Sequence, residues 1–505
     1  MSKLLFRCGQ PWTEQMLRDT LDACLEIAYN DLGLDLYPNQ VIVCSERGML
    51  DFLITGSPHS YPHWSFGKRA MGLQHERLNG EGLAFEVVIG TNPCMSWNMA
   101  SNTAAEMALV LAHAAVGHNH FFKNNHLYRK HMDAEGFADY SMKARDMILD
   151  FEHRFGIQAV EEVLDACHAL AYPCGLFRDG PPEPFDAERE KKRIAQYMRE
   201  LEQSFDASLA ETAPATAKLM QRRMELPEKG ITYPQENVLF FVEQYAPKLK
   251  SWQREVVRLV RTLHQQTMVP GVQTRVMNEG MAVFTHNYIV RRLYDDERID
   301  DGTFLEMIRS NTNVIKQPLT KDVGALVPLK NPYTIGYRIM QEIVRVVGMP
   351  EDDKAFFKGW IDTEGPTAED KQFLPFLAGK KNWREAIKDA VANYNDPSFI
   401  QQFMTPRLIR ELGLFKTMDM GEYLLVTDVS DEFGYENIRL AVAREHSFEG
   451  ALPHIAVVKA DLDGDRKLTL EHKRYNDIEL DKLDAERTVT LLEKLWGYKV
   501  DLKAA

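Results

Sequence analysis

The fold of this chain is decided by one segment, AAEMALVLAHAAVGHNHFF, which covers residues 104–122. Most of its residues are small and apolar, which predicts a helix that is buried on all sides. Four ionisable side chains interrupt that pattern: Glu106, His113, His118 and His120. An unpaired polar group inside a protein costs free energy, so each of them needs a partner on a neighbouring element.

The spacing of these polar residues predicts where they point. An α-helix turns by about 100° per residue, so residues seven apart point in nearly the same direction. Glu106, His113 and His120 therefore share one face of a regular helix. His118 would point about 140° away from His113 and joins the same site only if the helix is disturbed or flanked on both sides. Gly117 is the expected place for such a disturbance.

A second polar pair lies in the segment GVQTRVMNEGMAVFTHNY, residues 271–288. Glu279 and His286 are seven apart and share a face, and Pro270 with the glycine after it is predicted to mark the helix entry. A carboxylate and an imidazole together suit zinc or iron, or a general acid and base. The alternative for both segments is a set of hydrogen-bonded core residues that join two helices.

The two segments share one element with helical metallopeptidases, which carry H-E-x-x-H on one helix and a third ligand in N-E-x-x-(A/S) on a later helix. Asn278-Glu279-Gly280-Met281-Ala282 is similar to the second element. The first element does not match, because His113 and His118 are five apart and no glutamate follows the first. This helix therefore lacks the usual general base.

Periodicity along the chain predicts a mainly α protein with α+β terminal parts. Residues 1–95 form a mixed α/β region with a helix over 12–32 and strands at 40–44 and 85–89. Residues 96–410 form a large helical body that carries the histidines and glutamates. Its predicted helical segments are 101–122, 133–154, 156–171, 184–206, 236–266, 272–294 and 333–347.

Residues 411–505 are predicted to form a small C-terminal α+β unit. Its strands are expected at 422–427, 438–443, 455–460 and 467–472. A closing helix is expected over 484–497, with Gly497 as its stop.

Composition narrows the class of protein. The 505 residues are 45% hydrophobic and 27% charged, a balance typical of a globular protein. The net charge of −14 disfavours a nucleic-acid binder. The N-terminus has no signal-peptide pattern, no apolar run is long enough to span a membrane, and the six cysteines are scattered without a C-x-x-C pair. These features predict a cytoplasmic protein without a membrane span.

Several ordered motifs carry a resemblance to a known family. They are YPHWSFGK (61–68), NPC (92–94), AH through GH (112–118), MNEG (277–280), NPY (331–333), and DL through GDR (461–466) followed by LWG (495–497). With these motifs the chain resembles the stage V sporulation protein R (SpoVR) family over nearly its full length. It departs from the family at Met281, where an aromatic residue is usual.

The resemblance implies a biological setting rather than a reaction. It implies a sporulation protein tied to the spore cortex in spore formers, and a stationary-phase or stress-response protein in other bacteria. It also implies a PrkA-like serine kinase and a von Willebrand-type protein as partners.

Three hypotheses for function follow. The first is a metal-dependent hydrolase for an amide or peptide, such as a cell-wall fragment. His113, His118 and Glu279 would hold a divalent metal, with zinc the best match, and His120 or His286 would be the fourth ligand or a proton shuttle. A pocket that gathers such side chains is the usual mark of a catalytic site.

The second hypothesis is a non-enzymatic regulatory or scaffold partner of the serine kinase, in which the polar residues form a structural network or a structural metal site. The third is a redox or di-metal carboxylate protein built on two Glu–His pairs, Glu106 with His113 and Glu279 with His286. The seven-residue spacing disfavours it, because ferritin-like sites use Glu-x-x-His.

Overall fold

The protein is described by a computed structural model. The structure describes residues 4–54, 61–68, 71, 86–177, 233–315, 331–414, 417–419, 424–426, 432–448, 452–474 and 479–504. Within these ranges the chain is mainly helical, with small sheets near its two ends, so the predicted fold class is confirmed. The predicted helix over 184–206 lies outside the described residues.

The helices of the first half, in chain order, are α1 (Glu14–Asn30), α2 (Glu46–Ile54), α3 (Ala104–Val110), α4 (Asn119–Asn124), α5 (His126–His131), α6 (Phe137–Phe155), α7 (Ile157–Cys174), α8 (Val238–Tyr245) and α9 (Ser251–Gln273). A π-helix, Leu111–His118, joins α3 to α4. Those of the second half are α10 (Arg275–Asp295), α11 (Asp301–Val314), α12 (Pro332–Val347), α13 (Glu351–Phe357), α14 (Ala368–Phe373), α15 (Trp383–Asn393), α16 (Asp396–Phe403), α17 (Pro406–Glu411), α18 (Glu432–Glu445) and α19 (Lys482–Trp496).

Among the described residues, three small sheets accompany the helices. In the first sheet, β1 (Asn39–Cys44) pairs in parallel with β3 (Cys94–Met99), which pairs in the antiparallel sense with β2 (Glu86–Ile89). The short strands β4 (Thr417–Asp419) and β5 (Leu424–Val426) pair with each other. The third sheet has the order β6 (His454–Ala460), β7 (Leu468–Lys473), β8 (Val500–Ala504). The strands predicted at 40–44, 455–460 and 467–472 are confirmed, and those predicted at 85–89 and 422–427 are confirmed over their described residues, 86–89 and 424–426. Strand β3 was not predicted.

The segment 104–122 starts as an ordinary α-helix and then changes its hydrogen bonding. Thr103 caps α3, since its hydroxyl accepts from the backbone N–H of Glu106 (3.1 Å) and the Glu106 carboxylate accepts from the N–H of Thr103 (2.9 Å). In the π-helix each N–H bonds five residues back, so residues five apart come to the same side of the helix. His113 and His118 are five apart, and their ring centroids are 4.6 Å apart.

Small residues let the central helices touch through their backbones. Helix α10 packs against both the π-helix and α12. A Cβ on Gly117 would lie 2.5 Å from the Cα of Ala282, and a Cβ on Gly280 would lie 2.3 Å from the carbonyl carbon of Gly336. Because neither contact leaves room for a side chain, these glycines set how closely the helices that bear the polar residues approach.

The apolar core has two main parts. One lies around α1, the π-helix, α10, α12, α15 and α16. The other lies around α6 to α9 and extends into β6, β7 and α19. The third sheet therefore shares its core with helices of the body. Helix α19 ends at Trp496, and the φ of 85° at Gly497, the next residue, is the left-handed conformation expected of a helix stop.

Three details of the predicted helices and strands are wrong. Residues 438–443 belong to α18 rather than to a strand, because buried Ile438 and Val442 recur at helical spacing. Pro270 lies inside α9, and the next helix begins at Arg275. The predicted helix over 236–266 is two helices, α8 and α9, with residues 246–250 between them.

Candidate metal centre

Four side chains from three separate elements converge beside the π-helix. His113 and His118 come from the π-helix, Glu279 from α10 and Glu86 from β2. The Nε2 atom of His113 lies 3.6 Å from Oε1 of Glu86 and 3.7 Å from Oε2 of Glu279. The Nε2 atom of His118 lies 3.6 Å from the same Glu279 oxygen. We call these four residues the His/Glu cluster.

The distances between imidazole nitrogens and carboxylate oxygens in the His/Glu cluster can be compared with the distances between ligands of one metal ion. At 3.6–3.7 Å they exceed the length of a direct hydrogen bond. In a tetrahedral site with metal–ligand distances of about 2.0–2.1 Å, neighbouring donor atoms lie about 3.4 Å apart. Nε2 of His113, Oε2 of Glu86 and Oε2 of Glu279 are also buried without a hydrogen-bond partner. The donor atoms are therefore spaced as around a shared ion.

A chain of hydrogen bonds behind the cluster fixes the proton on His113. The side-chain amide of Asn287 donates to the carbonyl oxygen of Val283 (2.9 Å), which can only accept. The Asn287 oxygen then faces the Asn311 amide nitrogen (3.3 Å), and the Asn311 oxygen faces Nε2 of His286 (2.9 Å). His286 therefore carries its proton on Nε2 and accepts at Nδ1 from Nδ1–H of His113, 2.9 Å away. The lone pair of His113 is left on Nε2, which faces the carboxylates.

His118 is oriented in the same way by a different partner. Its Nδ1–H donates to the side-chain oxygen of Asn278, 2.9 Å away, so the lone pair again lies on the Nε2 atom that faces Glu279. Histidine ligands of metals almost always bond a protein acceptor through their other ring nitrogen, which fixes tautomer and orientation. Both histidines of the cluster have this arrangement.

Burial and mutual charge shift the pKa values of all four residues. Burial raises the pKa of Glu86 to about 7, with Glu279 adding to the shift and His113 opposing it. Burial lowers the pKa of His118 to about 4. Burial also disfavours the charged forms of His113 and Glu279, but attraction between opposite charges outweighs burial: the pKa of His113 is raised, mainly by Glu86, and the pKa of Glu279 is lowered by His113 and His118. The cluster thus favours positive charge between its carboxylates.

The structure brings together three of the residues predicted from the sequence and separates two others from them. His113, His118 and Glu279 meet, and His286 lies directly behind His113 rather than beside the carboxylates. His120 is not part of this group: its Nδ1 lies 3.0 Å from the backbone oxygen of Asp35, at a different contact. The regular-helix prediction that His113 and His120 share a face does not hold, because the π-helix intervenes.

Sequence reasoning missed Glu86. It is the first residue of β2 and stands next to Val87, Val88 and Ile89. A single carboxylate in a short apolar strand is the signal that could have found it, since such a group needs a partner when buried. Asn278 was quoted in the motif before Glu279 without a role, and the structure gives it one as the acceptor for His118.

A cleft of about 690 Å³ adjoins the cluster and is lined by Glu86, His118, Asn278, Glu279 and Tyr333 among others. Burial, together with the nearby Glu279 and Glu86, raises the pKa of the Tyr333 phenol well above its usual value, so the phenol keeps its proton. The cluster therefore opens onto a space that can hold a ligand.

A second polar group lines the same cleft. Nε2 of His63 lies 3.0 Å from Oδ1 of Asp165, and Nδ1 lies 2.6 Å from the Ser65 hydroxyl. The Trp64 indole N–H donates to the same Asp165 oxygen, and the His63 ring stacks on His168 with centroids 4.2 Å apart. Both ring nitrogens of His63 thus have direct partners.

Comparison with known proteins places the chain in a family. The family model described as SpoVR like protein matches residues 11–451, and the SpoVR-like C-terminal domain matches residues 453–505. The chain therefore belongs to the SpoVR family. It is 36% identical over 499 residues to the uncharacterized protein YcgB of Escherichia coli (strain K12), covering 98% of this chain and 93% of that protein. No solved structure matches. Among the described residues, no helix combines the length and apolar character needed to cross a bilayer.

Proposed function

We propose that the His/Glu cluster binds one divalent metal ion and that the protein is a metal-dependent hydrolase of an amide or peptide. One observation carries this proposal: ligand atoms of Glu86, His113 and His118 all lie within 4.8 Å of one another at the edge of a cleft, and a Glu279 oxygen lies 3.6–3.7 Å from Nε2 of both histidines. Two imidazole nitrogens and one or two carboxylate oxygens are a donor set that suits zinc.

The cleft supports a catalytic role over a structural one. Structural zinc sites are closed by four protein ligands, whereas catalytic sites keep a position open for substrate or water. Glu86, His118 and Glu279 all line the cleft as well as the cluster. A ligand in the cleft therefore has access to the ion site.

Glu86 supplies the group that the helix motif lacks. With His113, His118 and Glu279 as ligands, Glu86 remains as a carboxylate whose Oε1 lies 3.6 Å from Nε2 of His113 and whose Oε2 has no hydrogen-bond partner. In amide hydrolysis the oxygen of a water molecule bonds to the carbonyl carbon, the C–N bond breaks and the amine leaves with a proton. Glu86 accepts the proton from that water at Oε2 and transfers it to the departing nitrogen.

The other residues of the site orient these groups. His286 and Asn278 hold the two ligand histidines through their Nδ1 atoms. The protonated Tyr333 phenol is a hydrogen-bond donor at the edge of the cleft. A zinc ion held here would supply Lewis-acid polarisation of the amide carbonyl and would lower the pKa of water toward neutrality.

The experiment is a measurement of metal content by ICP-MS on tag-free protein, for the wild type and for His113→Ala, His118→Ala and Glu279→Ala. We expect about one equivalent of zinc or iron in the wild type, with none in the three variants. His120→Ala is the matched control, because it removes a buried histidine two residues from His118 that contacts Asp35 instead. It is expected to keep the metal.

A wild type that carries no stoichiometric metal after reconstitution contradicts the proposal. The same holds if the three variants keep the metal while circular dichroism reports them folded. Either result would favour the second hypothesis, a regulatory or scaffold protein that works with the serine kinase. A positive result leads to a screen of amide and peptide substrates, including cell-wall fragments, in which Glu86→Gln retains metal but loses turnover.

A further inference from the structure

The cleft contains an exposed tryptophan that the proposed hydrolysis does not use. The Trp64 side chain is 60% exposed, although tryptophan is usually buried for most of its area. Its indole is nevertheless fixed, because its N–H donates to Asp165 and its ring lies 5.5 Å from that of His63. Tyr172, also partly exposed, lines the cleft seven residues beyond Asp165 on α7 and therefore on the same helix face. We call Trp64, Asp165 and Tyr172 the aromatic subsite.

The charge of the cleft points to a cationic ligand. Its charged lining residues are the carboxylates Glu86, Asp165 and Glu279, and no lysine or arginine lines it among the described residues. Under the proposed function a divalent ion neutralises Glu86 and Glu279. Asp165 then remains as a half-exposed anion that faces His63, whose pKa is lowered by burial, and no lysine or arginine pairs with Asp165 in the part of the chain that the structure describes. An acidic cleft raises the local concentration of cations.

The bonding of Asp165 narrows the kind of cation. Its Oδ1 atom accepts from both Nε2 of His63 and Nε1 of Trp64, which leaves Oδ2 as the oxygen that can meet a ligand. A guanidinium group binds carboxylates best through two parallel hydrogen bonds, which need both oxygens. An ammonium group is a compact charge that needs one oxygen and is also attracted to the face of an aromatic ring.

We propose that the aromatic subsite binds a primary ammonium group of the substrate, as on a lysine-like side chain, while the amide to be cleaved lies at the His/Glu cluster. The amide cleavage in this inference rests on the proposed function, whereas the binding of the ammonium group does not. It names the substrate class as a cationic amide or peptide. Trp64 supplies the aromatic face, Asp165 the charge, and His63 holds Asp165 in place.

The test is calorimetric titration of the metal-loaded, full-length protein with two probes of the same shape. Nα-acetyl-lysine N-methylamide carries the ammonium, and Nα-acetyl-norleucine N-methylamide lacks it. We expect the lysyl probe to bind at least 10-fold more tightly than the norleucyl probe. Trp64→Ala and Asp165→Asn should each weaken the lysyl probe at least 10-fold. Asp146→Asn, an exposed carboxylate on α6 outside the cleft, is the matched control and should have no effect.

Equal affinity for the two probes overturns the proposal, as does lysyl binding that is unchanged in Asp165→Asn. Tighter binding of the arginyl analogue, or Trp64-dependent binding of N-acetylglucosamine without lysyl binding, also overturns it and assigns the subsite to a guanidinium or a sugar. The same titrations on metal-free wild type separate the two proposals. We expect the metal-free protein to keep its preference for the lysyl probe, so failure of the metal site is distinguishable from failure of the aromatic subsite.

Discussion

Two walls of the same cleft carry buried histidines beside carboxylates, yet they are built differently. On one wall, His63 meets Asp165 at 3.0 Å, and both of its ring nitrogens have direct partners. On the other, His113 meets Glu86 at 3.6 Å, and both facing groups have unpartnered buried atoms. The first wall is complete as a hydrogen-bonded network. The second has its polar atoms arranged around a point, and a cation at that point would complete it.

The largest expected difference between the two walls is in metal-linked stability. A ligand that binds only the folded state stabilises it by about 4 kcal/mol when its free concentration is 1,000-fold above its dissociation constant. We expect chelation of the metal to lower the melting temperature of the wild type and of Asp165→Asn by the same amount. His118→Ala should melt at one temperature with or without chelator. Thermal melts followed by circular dichroism measure this.

The control for that experiment is the order of addition. Restoring zinc after chelation should restore the melting temperature of the wild type. If chelation has no effect on the wild type, or if His118→Ala responds as the wild type does, the two walls do not differ in the way their distances indicate.

Much of the wall that carries the His/Glu cluster was predicted from the sequence, because polar residues within apolar segments can be recognised there. His113 and Glu279 stand out as polar residues in apolar helices, and their meeting follows once α10 packs on the π-helix. The part played by His118 could not be worked out from α-helical periodicity. It depends on hydrogen bonds that skip to the fifth residue, and sequence spacing carries no direct mark of that change.

Contacts between residues that are far apart in the sequence explain why the other site residues were not predicted. Glu86 reaches the cluster because β2 pairs with β3, and β3 was not predicted. The contact of Asp165 with His63 joins residues 102 positions apart. In the C-terminal region the apolar residues of 438–443 have a spacing that fits both a strand and a helix. In the structure they form part of helix α18, which packs against α16 and α17.

An intermediate loss of metal affinity is expected when the residues that orient the ligand histidines are substituted. Removing the acceptor behind a metal-bound histidine usually costs 10–100-fold in metal affinity, or about 1.4–2.7 kcal/mol. We expect Asn278→Ala to weaken metal binding by this factor, because His118 loses the partner of its Nδ1–H. Asn278→Asp keeps an acceptor and should restore most of the affinity. Competition with a chromophoric chelator measures the dissociation constants.

His286→Ala is the parallel change behind His113. It should weaken metal binding by a similar factor, since Nδ1–H of His113 would be left buried without its acceptor. If both alanine variants bind metal as tightly as the wild type, the hydrogen bonds behind the cluster are packing contacts and do not orient ligands.

The smallest change in stability is expected at the wall that carries His63 and Asp165, where an amide can replace a carboxylate. Asp165→Asn keeps the Oδ1 acceptor for His63 and Trp64, and the side chain is 43% exposed, so water screens the lost charge. We expect a loss of less than about 1 kcal/mol in the free energy of unfolding, measured by urea titration. The isosteric change Glu279→Gln should instead remove the metal-dependent stability, because there the charge would bind an ion rather than a neighbouring side chain. Equal losses from the two substitutions would mean that both carboxylates serve only as hydrogen-bond acceptors.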